Sequence, residues 1–219
     1  MFQKDYIKRS FSFIQATLAR LRGVALEGDA EVAREEITDA YSRVFGIPLS
    51  LLSLSPVSDI VDLLSTNEGD DAERILSLAE LLKMDGEIYQ NEGNVEEAQW
   101  RFDLSLELLI AGVEVSDQPA ADKILDPFEP VVRFSIQNQT SLERLAALYA
   151  LYRQAGNYGL AKDLIIAFAE TDGGKSEGID EGTAFLLDLH SRSDDELERW
   201  NITRQEIEEA LETLEALRN

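Results

Sequence analysis

Apolar residues recur three and four positions apart along most of this chain, the spacing of a buried face on an α-helix. Ile7, Phe11, Ile14, Leu18, Leu21 and Ala25 form the first such stripe and predict an amphipathic helix over residues 3–22. Gly28-Asp29 ends it, and Asp29 can cap a second helix over 30–46 with Val32, Ala33, Ile37, Ala40, Tyr41 and Val44 facing inward. Pro48 stops that pattern. Ser55-Pro56 then opens a short helix, with Ser55 as cap and Pro56 at its first position. A long helix follows, opened by the capping-box spacing of Asp70 and Glu73 and running to Asn91. Gly93 stands where a helix end favours the left-handed backbone, and Asn94 with Glu97 starts the next helix, 95–112.

Pro119, Pro127 and Pro130 restrict residues 113–139 to short helices. Thr140 with Glu143 begins a helix that ends at Gly156-Asn157, and its partner runs from Tyr158 to Glu170. Residues 172–176 form a loop, a helix covers 178–190, and Ser193/Glu196 and Thr203/Glu206 open the last two. No run alternates apolar and polar residues with β-branched enrichment. The prediction is an all-α chain of about nine to ten helices, forming one domain over residues 1–219.

Charge narrows the choice of partner. Twenty Lys and Arg stand against 43 Asp and Glu, a net charge of −23. Nucleic acid and anionic membranes are therefore poor partners, and a neutral or basic protein is a better one. The basic residues concentrate at the start, where Lys4, Lys8, Arg9, Arg20 and Arg22 face Asp5 alone. Such a helix suits packing on the first hairpin or docking against acidic surfaces, including those of a second copy. The absence of cysteine excludes disulfides and thiolate chemistry. With no apolar run long enough to span a bilayer and no signal-like segment, the expectation is a cytoplasmic protein.

The residues around Gly93 carry a more specific pattern. Leu82, Gly86 and Tyr89 stand on one helix, Ala98 and Phe102 on the next. Small residues allow two helix axes to approach, and aromatics fill the flanking volume. This stretch, 79–112, resembles a tetratricopeptide repeat, with Leu82 in place of a tryptophan, Asp85 in place of a leucine and Ile110 in place of the closing proline. A second copy covers 142–175 through Leu145, Leu148, Tyr152, Gly156, Tyr158 and Ala161, with Tyr149 where a small residue is usual. A weaker third covers 14–47. These copies are spaced more widely than the about 34 residues of a contiguous array. The resemblance thus implies either a right-handed superhelix or a compact bundle. The segments 1–9, 33–37, 51–55 and 81–89 are also similar to an uncharacterised family of bacterial proteins, over about residues 1–112.

Candidate chemistry is sparse. His190 is the single histidine, so no imidazole pair exists for a metal or a catalytic relay. The segment from Asp172 lacks the glycine and final glutamate of a calcium loop, having Glu177 and Thr183 instead. No phosphate-binding loop, dinucleotide fingerprint or nucleophile elbow occurs. The expectation is a non-enzymatic, cofactor-free module for protein contact. A homo-oligomer built through the terminal helices, and an enzyme or metal binder using acidic residues, are the alternatives. By analogy with tetratricopeptide proteins, a peptide groove would expose Lys83, Glu87, Gln90 and Asn91 on one unit, and Glu143, Arg153 and Gln154 on another. Glu80, Glu87 and Glu143 oppose a clamp for a C-terminal carboxylate, so the segment bound should be neutral or basic.

Overall fold

The structure, a computed structural model, describes residues 19–20, 30–65, 71–116 and 122–218. Among them every regular element is helical, as the apolar spacing predicts. The apolar stripe from Ile7 to Ala25, most of the first helix of the 14–47 hairpin, and the Asp70 cap lie outside the described residues. Two compact units result, Met1–Asp117 and Gln118–Asn219.

In the first unit, α1 (Ala30–Ala40) runs into a single π-helical turn, Tyr41–Phe45, closed by left-handed Gly46. Ala33, Ile37, Ala40 and Tyr41 face inward, but Val32 is 41% exposed. Two short helices follow, α2 (Leu49–Leu52) and α3 (Val57–Leu64). Pro56, not Ser55, is the residue that caps α3: its backbone is still extended, so the helix begins one position later than the proline rule predicts.

The core of this unit is the hairpin of α4 (Asp71–Asn91) and α5 (Val95–Val115). Its turn is built locally. Gly93 takes a φ of 78°, Asn94 N–H donates back to the Tyr89 carbonyl at 2.9 Å, and Asn94 Oδ1 accepts from Glu97 N–H at 3.3 Å. Beyond the turn, two glycines set the separation of the helices. A Cβ on Gly86 would lie 2.5 Å from the Phe102 ring, and one on Gly112 would lie 2.8 Å from Leu76. Buried Ser105 donates across the same interface to the Ala79 carbonyl at 2.7 Å. Both α1 and α3 pack on α4, and α3 also meets α5.

The second unit opens with α6 (Asp122–Leu125), a 3₁₀ turn at Asp126–Phe128, and α7 (Glu129–Gln137). The prolines 127 and 130 sit in first turns, where a missing N–H costs nothing. A second hairpin joins α8 (Leu142–Ala155) to α9 (Tyr158–Thr171). Its turn repeats the first: Gly156 has φ 83°, Asn157 N–H reaches the Tyr152 carbonyl at 3.0 Å, and Asn157 Oδ1 caps Leu160 N–H at 3.2 Å. Helix α8 is capped by Ser141 rather than Thr140. Thr140 is buried and accepts from the Arg144 guanidinium, which leaves Ser141 Oγ to accept from Arg144 N–H at 3.3 Å.

Helix α10 (Ser176–His190) packs on α9 and on α12 (Arg204–Arg218), with α11 (Asp194–Arg199) in the connection. This is a helix pair that the periodicity does not reveal, because α11 interrupts it. Gly182 permits the contact: a Cβ there would lie 2.8 Å from Leu214 and 3.1 Å from Ile165. The capping boxes at Ser193/Glu196 and Thr203/Glu206 form as their spacing predicts.

Candidate partner-binding face

Two constellations of charged and aromatic side chains stand out, one in each unit, and they differ in access. In the first unit, Asp85, Arg101 and Tyr41 are buried together, at 3%, 2% and 0% exposure. Arg101 Nε donates to Asp85 Oδ2 at 2.5 Å, and the Tyr41 hydroxyl donates to the same oxygen at 3.1 Å. Arg101 Nη1 donates to Glu97 Oε2 at 2.6 Å, and that oxygen also accepts from the Trp100 indole at 2.9 Å. The guanidinium lies between two rings, 4.0 Å from the centre of Tyr89 and 4.3 Å from Trp100. Burial raises the Asp85 carboxyl above its ordinary range, against the pull of Arg101 and Tyr41. Burial likewise opposes the charge on Arg101, but Asp85 and Glu97 more than offset it, so the guanidinium holds its proton firmly. Arg101 Nε and Nη1 and the Tyr41 hydroxyl all find acceptors inside the protein. The network joins the π turn to the α4–α5 hairpin.

The helix that carries Asp85 also corrects one expectation. Lys83 is not exposed: it is 8% accessible and donates to Glu87 Oε1 at 3.2 Å. Residues 81–86 are buried without a break, because α4 is the central helix of its unit with α1, α3 and α5 around it. Of the other residues expected on that face, Glu87 is half-buried, and Gln90 and Asn91, at the C-terminal end of the helix, are exposed.

In the second unit, Glu143, Arg153 and Gln154 are exposed on α8, as expected. A groove of about 560 Å³ lies between α8, α9 and α10, and two of its lining residues, Tyr149 and Glu181, hold Arg153. Ala146, Tyr149, Ile165, Phe168 and Gly178 make the groove's apolar wall, and Asp180 and Glu181 its acidic rim. Gly178 is required by this arrangement, since a Cβ there would lie 2.8 Å from Phe168. Arg153 Nη1 donates to Glu181 Oε1 at 2.6 Å and to the Tyr149 hydroxyl at 3.0 Å. The Tyr149 hydroxyl itself donates to Glu181 Oε1 at 3.0 Å. Burial pushes the Tyr149 phenol up to about 12, with Glu181 adding to the rise and Arg153 opposing it. Asp180 pairs with Arg218.

A family model described as a family of unknown function (DUF6483) matches residues 1–219. The chain belongs to the DUF6483 family. No curated protein and no solved structure matches it. The match agrees with the similarity of the opening segments to an uncharacterised family, and extends it over the whole chain.

Other features of this DUF6483 chain point less clearly to a ligand. A cleft of about 550 Å³ at the turn of the second hairpin holds Arg133, Lys162, Arg199 and Trp200, but also Asp126, Glu129, Asp163 and Glu206. Arg133 is spent on Glu129 and Asp163, both at 2.8 Å. Among the described residues, no group of three or more His, Asp or Glu could hold a metal ion. The Asp172 carboxylate is taken by Lys175 at 2.8 Å, and His190 stands 3.2 Å from Glu208. No described helix is long and apolar enough to cross a membrane. Sequence reasoning missed Phe168, Gly178, Glu181 and Phe185. The signal for them was present in the two glycines of α10, Gly178 and Gly182, which one helix has no local reason to carry.

Proposed function

We propose that this protein is a non-enzymatic protein-binding module of tetratricopeptide-like build. Its partner lays a neutral or basic segment along the groove between α8 and α10. The observation that carries this reading is the groove itself: an apolar wall of Ala146, Tyr149, Ile165, Phe168 and Gly178 beneath an acidic rim. A concave apolar strip with few polar groups is what an extended segment needs for affinity, and the rim selects its charge. The tetratricopeptide relation is supported by the recurrence of one turn, with Tyr89, Gly93 and Asn94 in the first hairpin and Tyr152, Gly156 and Asn157 in the second. The close approach of Gly86 to Phe102 supports it further.

Ala146 offers a direct test, because it is exposed and yet lines the groove. Peptides selected from a displayed random library on the full chain should lose at least about tenfold in affinity for Ala146→Arg, as expected when a hot-spot contact is blocked. The melting temperature should not change. Failure to select any peptide, or equal binding to the variant, would overturn the proposal.

A further inference from the structure

We infer that Arg153 is an internal stand-in for a cation supplied by the partner, and that it closes the groove until that cation displaces it. Three residues, Tyr149, Glu181 and Phe185, converge on its guanidinium. The Glu181 carboxylate and the Tyr149 hydroxyl accept from Nη1 at 2.6 and 3.0 Å, and the Tyr149 and Phe185 rings lie 5.6 and 5.3 Å from the guanidinium carbon. A carboxylate, a phenol and two aromatic faces form a receptor for a guanidinium or ammonium group.

The receptor is built independently of the side chain it holds. Tyr149 is 7% exposed and Phe185 3%, and their rings meet edge to face with centroids 5.6 Å apart. The phenol also donates to Glu181, so the carboxylate keeps a tether when Arg153 leaves. Arg153 is the member that an outside cation would replace. Its side chain is 46% exposed in the last turn of α8, and the Glu181 side chain, 51% exposed, opens to the same solvent. Tyr149 and Glu181 belong to both the receptor and the groove. A segment carrying Arg or Lys beside an apolar residue would therefore place the cation on Glu181 and the apolar group against Phe168 and Gly178. This rests on the binding role proposed above for the groove; the receptor itself can be tested without it.

The probe is N-acetyl-L-arginine amide, titrated into the isotope-labelled full chain and followed by two-dimensional NMR at the amides of Tyr149, Glu181 and Phe185. Arg153→Ala empties the receptor and should bind the probe at least about fivefold more tightly than the wild type, the gain expected when one competing cation–aromatic contact is removed. Arg153→Ala combined with Glu181→Gln should lose that gain. Unchanged dispersion of the remaining amides confirms that both variants are folded. Equal binding by the wild type and Arg153→Ala, or a gain that survives Glu181→Gln, overturns the inference. Its failure is distinct from that of the binding role. Library peptides that depend on Ala146 but ignore Arg153 sink the stand-in alone. Probe binding to Arg153→Ala without any selectable peptide sinks the groove as a peptide site.

Discussion

Asp85 occupies a position where the hairpin pattern has a leucine, and the structure accounts for the acid by what lies opposite. Arg101 and Tyr41 both converge on one of its oxygens, and all three side chains are sealed from water. Such a pair carries a large desolvation cost that only complete hydrogen bonding offsets. Removing one partner should therefore be far worse than removing both. Arg101→Met leaves a buried, unpaired carboxylate and should cost about 3–5 kcal/mol in chemical denaturation. Adding Asp85→Leu to it should restore most of the loss. A double variant as unstable as the single one would mean that the network contributes more than charge compensation. The pairing itself was not legible in the sequence. Asp85 could be recognised as a departure, but its partner stands sixteen positions away, on the other helix of the hairpin, and only the tertiary fold selects Arg101 among 20 basic residues.

At the scale of elements, the hairpins were legible where their determinants are local. Gly93-Asn94 and Gly156-Asn157 specify their turns through a left-handed glycine and an asparagine cap, interactions confined to a few consecutive residues. The small residues at the helix crossing could also be read directly. Gly86→Ala should force its new methyl against the Phe102 ring and cost about 1–3 kcal/mol by thermal or urea unfolding. An unchanged midpoint would show that Phe102 can turn aside. Where determinants are not local, the reading failed. A helix in a regular array has an open face, which would expose Lys83, whereas α4 is enclosed on every side over residues 81–86. The spacing of Thr140 to Glu143 fits a cap, but the Thr140 hydroxyl is claimed by the Arg144 guanidinium. The α10–α12 pair escaped because α11 separates its two helices in sequence. Its glycines were the one accessible clue, since Gly182 has meaning only when Leu214 and Ile165 are known to press on it.

For the whole molecule, the dominant fact is a net charge of −23. Many of the described cations are already committed to acids, as Arg133 is to Glu129 and Asp163, and Arg34 is to Glu92 at 3.1 Å. The surplus acids repel one another in the folded state more than in the expanded chain. Salt should relieve this. The melting temperature should rise as sodium chloride goes from about 0.01 to about 0.15 M, where the screening length falls from about 30 to about 8 Å. A falling midpoint would show that attraction within surface ion pairs outweighs the net repulsion. The same surplus explains why acidic clusters were poor guides to a site: with 43 carboxylates, neighbours of like charge are expected everywhere. What distinguishes Glu181 is not its charge but the two rings and the phenol beside it.

The aromatic contacts have a practical consequence for optical spectroscopy. The chain has two tryptophans, and each compact unit holds one. Trp100 lies against the Arg101 guanidinium at 4.3 Å, while Trp200 meets the Tyr158 ring edge-on at 4.6 Å. One indole thus sits beside a fixed positive charge and the other beside a neutral ring, so their emission reports different surroundings. Replacing either with phenylalanine leaves a single fluorophore in a known unit, and the two units of the native chain can be followed one at a time by the light each emits.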